Sequence, residues 1–233
     1  MRSRPQSASR RPRGAAPGFT LIEAALATVI IGVGILAMVD AQQSFIRTNN
    51  WSSHAASGTY LANELREIIR SLPRHDPTVG LTLTDSGGGG GATLSGWGPN
   101  AGEQVLADFD DVDDFDGITF GYDGTPDPSD GDLPGPVNAF REVIPELTVD
   151  GVEETNGGVP VPMTGWRQTV IVEKVDPFDT SITLDDAYVE PPSGSFPGRA
   201  VDKFPLRVTV VTTYQAPGAI EPDEVARVIW IMP

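Results

Sequence analysis

Gly18-Phe19-Thr20-Leu21-Ile22-Glu23 opens an apolar run that continues to Val39 and contains one charged residue, Glu23. Residues 19–39 number 21. A helix of that length, rising ~1.5 Å per residue, crosses a hydrocarbon core of ~30 Å. A carboxylate inside such a helix costs roughly 2.5–3.5 kcal/mol on insertion scales. An acid held at that cost points to a need for it. Upstream, residues 1–18 carry five arginines (Arg2, Arg4, Arg10, Arg11 and Arg13) and no acid. Positive charge ahead of an apolar span keeps the N-terminus in the cytoplasm, so the chain after Val39 is expected on the outer side.

Three ordinary readings compete for this N-terminus. A secretory signal has an apolar core of ~7–15 residues with a small-residue cut site after it. This span is longer, contains Glu23 and offers only Val39-Asp40-Ala41 as a weak cut site. Arg10-Arg11 suggests twin-arginine export, but Pro12-Arg13-Gly14 stands where apolar residues should follow. A plain single-pass anchor explains the span and leaves the spelling of residues 18–23 unexplained.

That spelling resembles the prepilin signature of type IV pilins and type II secretion pseudopilins, closely from Gly18 to about Gln43. The resemblance implies that a prepilin peptidase cuts after Gly18. It implies that Phe19 becomes the mature, N-methylated terminus, and that Glu23, with Thr20 beside it, serves assembly by neutralising the terminal amine of a neighbouring subunit. The implied partners are the peptidase, other pilin or pseudopilin subunits and the inner membrane. The implied location is a single-pass inner-membrane protein, and then a pilus or pseudopilus in the periplasm or at the cell surface. Elementary electrostatics is consistent with this. A free α-amine has a pKa near ~8 and is charged at neutral pH. Opposite charges in low dielectric relieve each other's desolvation only when they meet in good geometry. A glutamate four residues after the amine lies one helical turn away, within reach of its own amine or, after an axial offset, of a neighbour's.

The chain has 233 residues, room for one ordinary domain and an anchor. Losing the five leader arginines takes the formal net charge from −16 to −21. Such an exterior disfavours direct contact with nucleic-acid phosphates and with anionic lipid, and fits a solvated, self-repelling surface. There is no cysteine, so thiol usage says nothing of compartment. Many pilin outer domains carry a disulfide; this chain departs from that pattern and must hold its outer region by packing or by a metal.

The apolar span is expected to run on as a helix over residues 20–72. Leu61, Leu65, Ile68, Ile69 and Leu72 recur at the spacing of one helical face, and Pro73 ends it. Gly32 and Gly34 lie in the membrane half, either for close helix packing or as ordinary membrane-helix glycines. Residues 79–136 read as loop-rich, with an unbroken glycine run at residues 87–91 that lacks the Gly-Lys-Ser/Thr of a phosphate loop. Strands are expected at residues 118–122, 142–147 and 166–175. The strongest are 206–214 and 225–232, an antiparallel pair around a turn carrying Pro217, Gly218 and Pro222. The expected order is a basic leader (1–18), a transmembrane or filament-core helix (19–39), an amphipathic continuation (40–73) and a β-rich extracytoplasmic domain (74–233). The fold class is α+β, a long N-terminal helix packed on a C-terminal antiparallel sheet, as the pilin resemblance also implies.

Residues 108–116 pack six aspartates into nine positions: Asp108, Asp110, Asp111, Asp113, Asp114 and Asp116. Ca²⁺ takes six to eight oxygens on flexible backbone, so the segment is a candidate calcium site, although EF-hand spacing does not fit. The alternative is a solvated loop with Val112 and Phe115 turned into the core. Asp123, Asp127, Asp130 and Asp132 form a second acidic group. The acidic-aromatic segment also resembles one in minor pilins of mannose-sensitive haemagglutinin pili.

Nothing reads as catalytic. His54 and His75 sit near the expected helix end without a ligand or nucleophile pattern and are expected on the surface. There is no G-x-S-x-G and no cysteine nucleophile. Carboxylate pairs carry no weight among 32 acids. The expected function is structural: a pilus or pseudopilus subunit, suggested to be a minor one by its outer-domain size and loop insertions. The alternative is a membrane-anchored extracytoplasmic binding module that never polymerises.

Overall fold

The computed structural model describes residues 20–84, 92–121 and 131–233. The cut site at Gly18 and Phe19, the basic leader, the glycine run and Asp123, Asp127 and Asp130 lie outside these residues. The chain divides into two compact units, Met1–Asn49 and Asn50–Pro233.

Helix α1 spans Leu21–Ile69, 49 residues. It begins at Thr20, whose carbonyl accepts from Ala24 N–H at 3.1 Å. It ends where the turn tightens: Ser71 N–H donates to Ile68 O and Leu72 N–H to Ile69 O, immediately before Pro73. Within the first unit residues 21–49 are helical and almost wholly exposed, and their apolar part is long enough to cross a membrane. A Cβ added at Gly32 or Gly34 would meet nothing within 4 Å.

In the second unit the last part of α1 buries Gly58, Leu61, Ala62, Leu65, Ile68 and Ile69, the stripe that the spacing predicts. Their cover is a five-stranded sheet in the order β4-β3-β7-β8-β9. Its members are β3 (Thr119–Gly121), β4 (Asp132–Leu133), β7 (Trp166–Lys174), β8 (Leu206–Tyr214) and β9 (Asp223–Met232). All neighbours are antiparallel except β3 and β4. Along β7 the side chains alternate, with Trp166, Gln168, Val170, Val172 and Lys174 buried, as a sheet with one covered face requires. The core joins Leu65, Ile68 and Ile69 of the helix to Val170, Val172, Leu206, Val208 and Val210 of the sheet, with Phe109, Val112, Phe115 and Phe120 beside them.

Two details fix the helix on the sheet. Gly58 lets the helix backbone approach β9, where an added Cβ would lie 2.7 Å from Val225 Cγ2. Gln168 is fully buried and fully used: its Nε2 donates to Leu61 O at 2.7 Å and Val137 O at 3.1 Å, and its Oε1 accepts from Val137 N–H at 2.8 Å. Two small hairpins complete the unit, β1 (Thr82–Thr84) with β2 (Thr93–Ser95), and β5 (Thr155–Asn156) with β6 (Val159–Pro160).

The strand expected at residues 142–147 does not form. The segment makes only isolated bridges, Val143 to Val137, Pro145 to Pro162 and Leu147 to Glu153. Pro145 has no N–H to give a ladder, so regular pairing cannot run through it.

Candidate functional site

The residues expected to serve assembly come together at the start of α1. Glu23 Oε2 accepts from Thr20 N–H and from Thr20 Oγ1–H, both at 2.9 Å, and Glu23 N–H donates to Thr20 Oγ1 at 3.3 Å. This is a capping box: a threonine before the first helical residue and a glutamate three positions on satisfy each other's backbone N–H groups. Glu23 thus has a local structural use that the sequence reading left out, although Thr-x-x-Glu ahead of an apolar run announces it. The carboxylate remains exposed.

The acidic segment separates into different roles. A 3-10 turn at Asp113–Phe115 drives Phe115 into the core, with Val112 beside it. Asp111 and Asp114 cap each other's backbone. Asp114 N–H donates to Asp111 Oδ1 at 3.1 Å, while Asp114 Oδ2 accepts from Asp110 N–H at 2.9 Å and Asp111 N–H at 3.1 Å. Asp116 is spent on the fold, accepting from Val172 N–H at 2.8 Å and Trp97 Nε1–H at 3.1 Å. Asp108 is exposed and accepts only a long bond, 3.4 Å, from Gln104 N–H. Asp113 is buried and faces His75 Nδ1 at 3.3 Å.

Of the six aspartates, three bring carboxylate oxygens within 4.8 Å of one another: Asp110, Asp111 and Asp114. A second triad at the same spacing contains Asp76, Glu103 and Asp110. Asp76 and Glu103 were not expected. Asp76 lies just past α1, where its Oδ1 accepts from Thr78 and Val79 N–H; its Oδ2 accepts from Asn100 Nδ2 at 3.2 Å. Glu103 Oε2 accepts from Asn100 N–H at 2.6 Å. Asp132, from the second acidic group, belongs to neither triad and sits in β4.

The electrostatics of the segment are unfavourable to charge. Burial pushes Asp111 up to about 8, helped by the hydrogen bond and the charge of Asp113. Burial pushes Asp114 up to about 7, against the pull of its backbone hydrogen bonds and with the charge of Asp111. Asp113 is pushed to about 6 by the same cause. Burial, then the charges of Asp76 and Glu103, raise Asp110. Asp114 Oδ1 and Asp113 Oδ2 are buried without a hydrogen-bond partner.

Neither histidine is a freely exposed surface residue. The His75 side chain is 7% exposed, its ring centroid lies 6.0 Å from that of Trp97, and burial lowers its pKa to about 4. His54 is half-buried and packs against Tyr214 at 4.3 Å and Trp166 at 5.9 Å between ring centroids. The expectation of surface histidines fails because His54 packs on β7 and β8, and His75 is covered by Trp97 and the acidic turn. Lys174 is also buried, its Nζ donating to Asp186 O, and burial lowers its pKa.

Compared with known proteins, the chain matches no family model, no curated protein and no solved structure.

Proposed function

We propose that this chain is a structural subunit of a type IV pilus or type II secretion-like filament. In this reading a prepilin peptidase cuts after Gly18, Phe19 becomes the methylated N-terminus, and the apolar part of α1 passes from the inner membrane into a filament core built with other subunits. The prepilin-like spelling of residues 18–23 supports it. The observation that carries it is α1 itself. Among the described residues, one unbroken helix from Leu21 to Ile69 is almost wholly exposed over its apolar start and covered along one stripe at its end. A tethered binding module needs a membrane span and a linker. It does not need the span and the domain's own packing helix to be a single helix.

The capping box sharpens the test of Glu23. Glutamine at that position keeps the reciprocal hydrogen bonds and removes the charge, whereas alanine removes both. If the charge serves assembly, Glu23→Gln and Glu23→Ala are both inserted and cleaved, and both enter filaments severalfold less than wild type. The measurement is the ratio of subunit in sheared filaments to subunit in membranes. A Glu23→Gln ratio equal to wild type, with only Glu23→Ala reduced, assigns Glu23 to helix capping and removes it from assembly.

A further inference from the structure

We propose that Asp110, Asp111 and Asp114 bind a calcium ion, with Asp76 and Glu103 completing the acidic wall on the side that shares Asp110. The inference does not depend on the filament reading.

The donor set is the first argument. Five carboxylates converge from three segments: Asp76 just after α1, Glu103 in the loop following β2, and the 110–114 turn. Every donor in the two triads is a hard oxygen, which selects a hard cation over zinc or copper. The oxygens of each triad lie within 4.8 Å of one another. Two oxygens each ~2.3–2.6 Å from a calcium ion are at most about 5 Å apart, so the spacing suits a shared ion of that size.

Asp114 has no exposed surface, and its Oδ2 is already committed to two backbone N–H groups. Its Oδ1 is buried with no hydrogen-bond donor at all. A buried carboxylate oxygen left so is costly unless it is paired or bound to a metal. Among the described residues none of the five acids forms an ion pair with a lysine, arginine or histidine. A bound cation would satisfy Asp114 Oδ1 and favour the ionised form of the acids around it.

Calcium fits better than magnesium. Magnesium demands near-ideal octahedral geometry at short distances and gives up its water reluctantly, whereas calcium accepts many carboxylates in irregular arrangements. Asp110 is exposed, which gives the ion an entry side and room for water ligands. The consequence is mechanical. The ion ties the segment after α1 to the acidic turn, whose Phe109, Val112 and Phe115 sit in the core and whose Val112 N–H bonds Pro73 O at 3.0 Å. In a chain without cysteine this is a cross-link between the segment after the helix and the acidic turn.

The test uses the full chain in detergent micelles, stripped with EGTA and titrated with CaCl₂ or MgCl₂ by calorimetry and by thermal melting. Wild type should bind Ca²⁺ saturably, melt higher as Ca²⁺ rises, and bind Mg²⁺ at least about ten-fold more weakly. Asp110→Asn changes an exposed side chain, so it should melt like wild type in EGTA and bind Ca²⁺ at least about ten-fold more weakly. Asp111→Asn should lose binding as well. Asp108→Asn, outside both triads, should bind as wild type does. Identical wild-type melting in EGTA and in millimolar Ca²⁺ would overturn the proposal. So would wild-type affinity in both Asp110→Asn and Asp111→Asn, or a loss of binding in Asp108→Asn equal to theirs.

Discussion

The two ends of α1 are both rich in large aliphatic residues and are treated in opposite ways. Ten such side chains between Leu21 and Met38 stand more than half exposed, Leu21 at 90% and Leu36 at 71%. Leu61, Leu65, Ile68 and Ile69 are each 4% exposed or less, under the sheet and the acidic segment. Covering a large aliphatic side chain contributes roughly 1.5–3 kcal/mol. Leaving ten uncovered therefore forgoes on the order of 15–30 kcal/mol, as much as or more than the ~5–15 kcal/mol that stabilises a whole domain. Among the described residues nothing covers the start of the helix, which is long and apolar enough to cross a membrane. The end is covered by its own domain.

The largest effect that would break this contrast lies in the covered half. Leu65→Ala empties a fully buried position and should cost the second unit about 2–5 kcal/mol in a denaturant or thermal melt. Leu36→Ala should leave that melt within about 0.5 kcal/mol of wild type. A Leu36 effect comparable to that of Leu65 would mean that the exposed half is covered by its own chain after all.

A smaller effect sharpens the comparison at the polar link between helix and sheet. Gln168→Leu keeps the approximate volume, strands Val137 N and O, and leaves Leu61 O with its helical hydrogen bond alone. Unpaired buried backbone groups should make it about 1–3 kcal/mol less stable. Amide exchange should speed up around residues 61–65 and 137. Unchanged stability would show that packing alone seats the helix.

What the sequence makes legible follows from periodicity. The stripe at Leu61, Leu65, Ile68 and Ile69 has helical spacing, and β7, β8 and β9 are runs of β-branched residues bounded by turns, so these elements emerge with ends close to those expected. The segment around Pro145 has strand composition but lacks the N–H that a ladder needs. The parallel pairing of Thr119 with Asp132 and Phe120 with Leu133 has no local signal, because two- and three-residue strands are selected by tertiary contact. The acidic turn is legible as a candidate calcium segment, but which of its aspartates converge is not. Asp108, Asp113 and Asp116 look like Asp110, Asp111 and Asp114 in sequence and are assigned elsewhere by burial and hydrogen bonding. Asp76 and Glu103 join the triads from loops distant in the chain, and only the fold brings them there. The Thr20–Glu23 capping box, by contrast, was readable in full from its spacing.

The mature N-terminus tests most directly whether α1 belongs to a processed filament subunit, as proposed. Intact-mass and N-terminal peptide mass spectrometry of the membrane-extracted protein should find a chain beginning at Phe19, carrying one N-methyl group, with its apolar helix retained. Gly18→Val should leave the leader in place, because a subsite fitted to glycine has no room for a branched side chain. An intact leader on the wild-type protein, or a chain beginning after Ala41 with the helix lost, would contradict the claim.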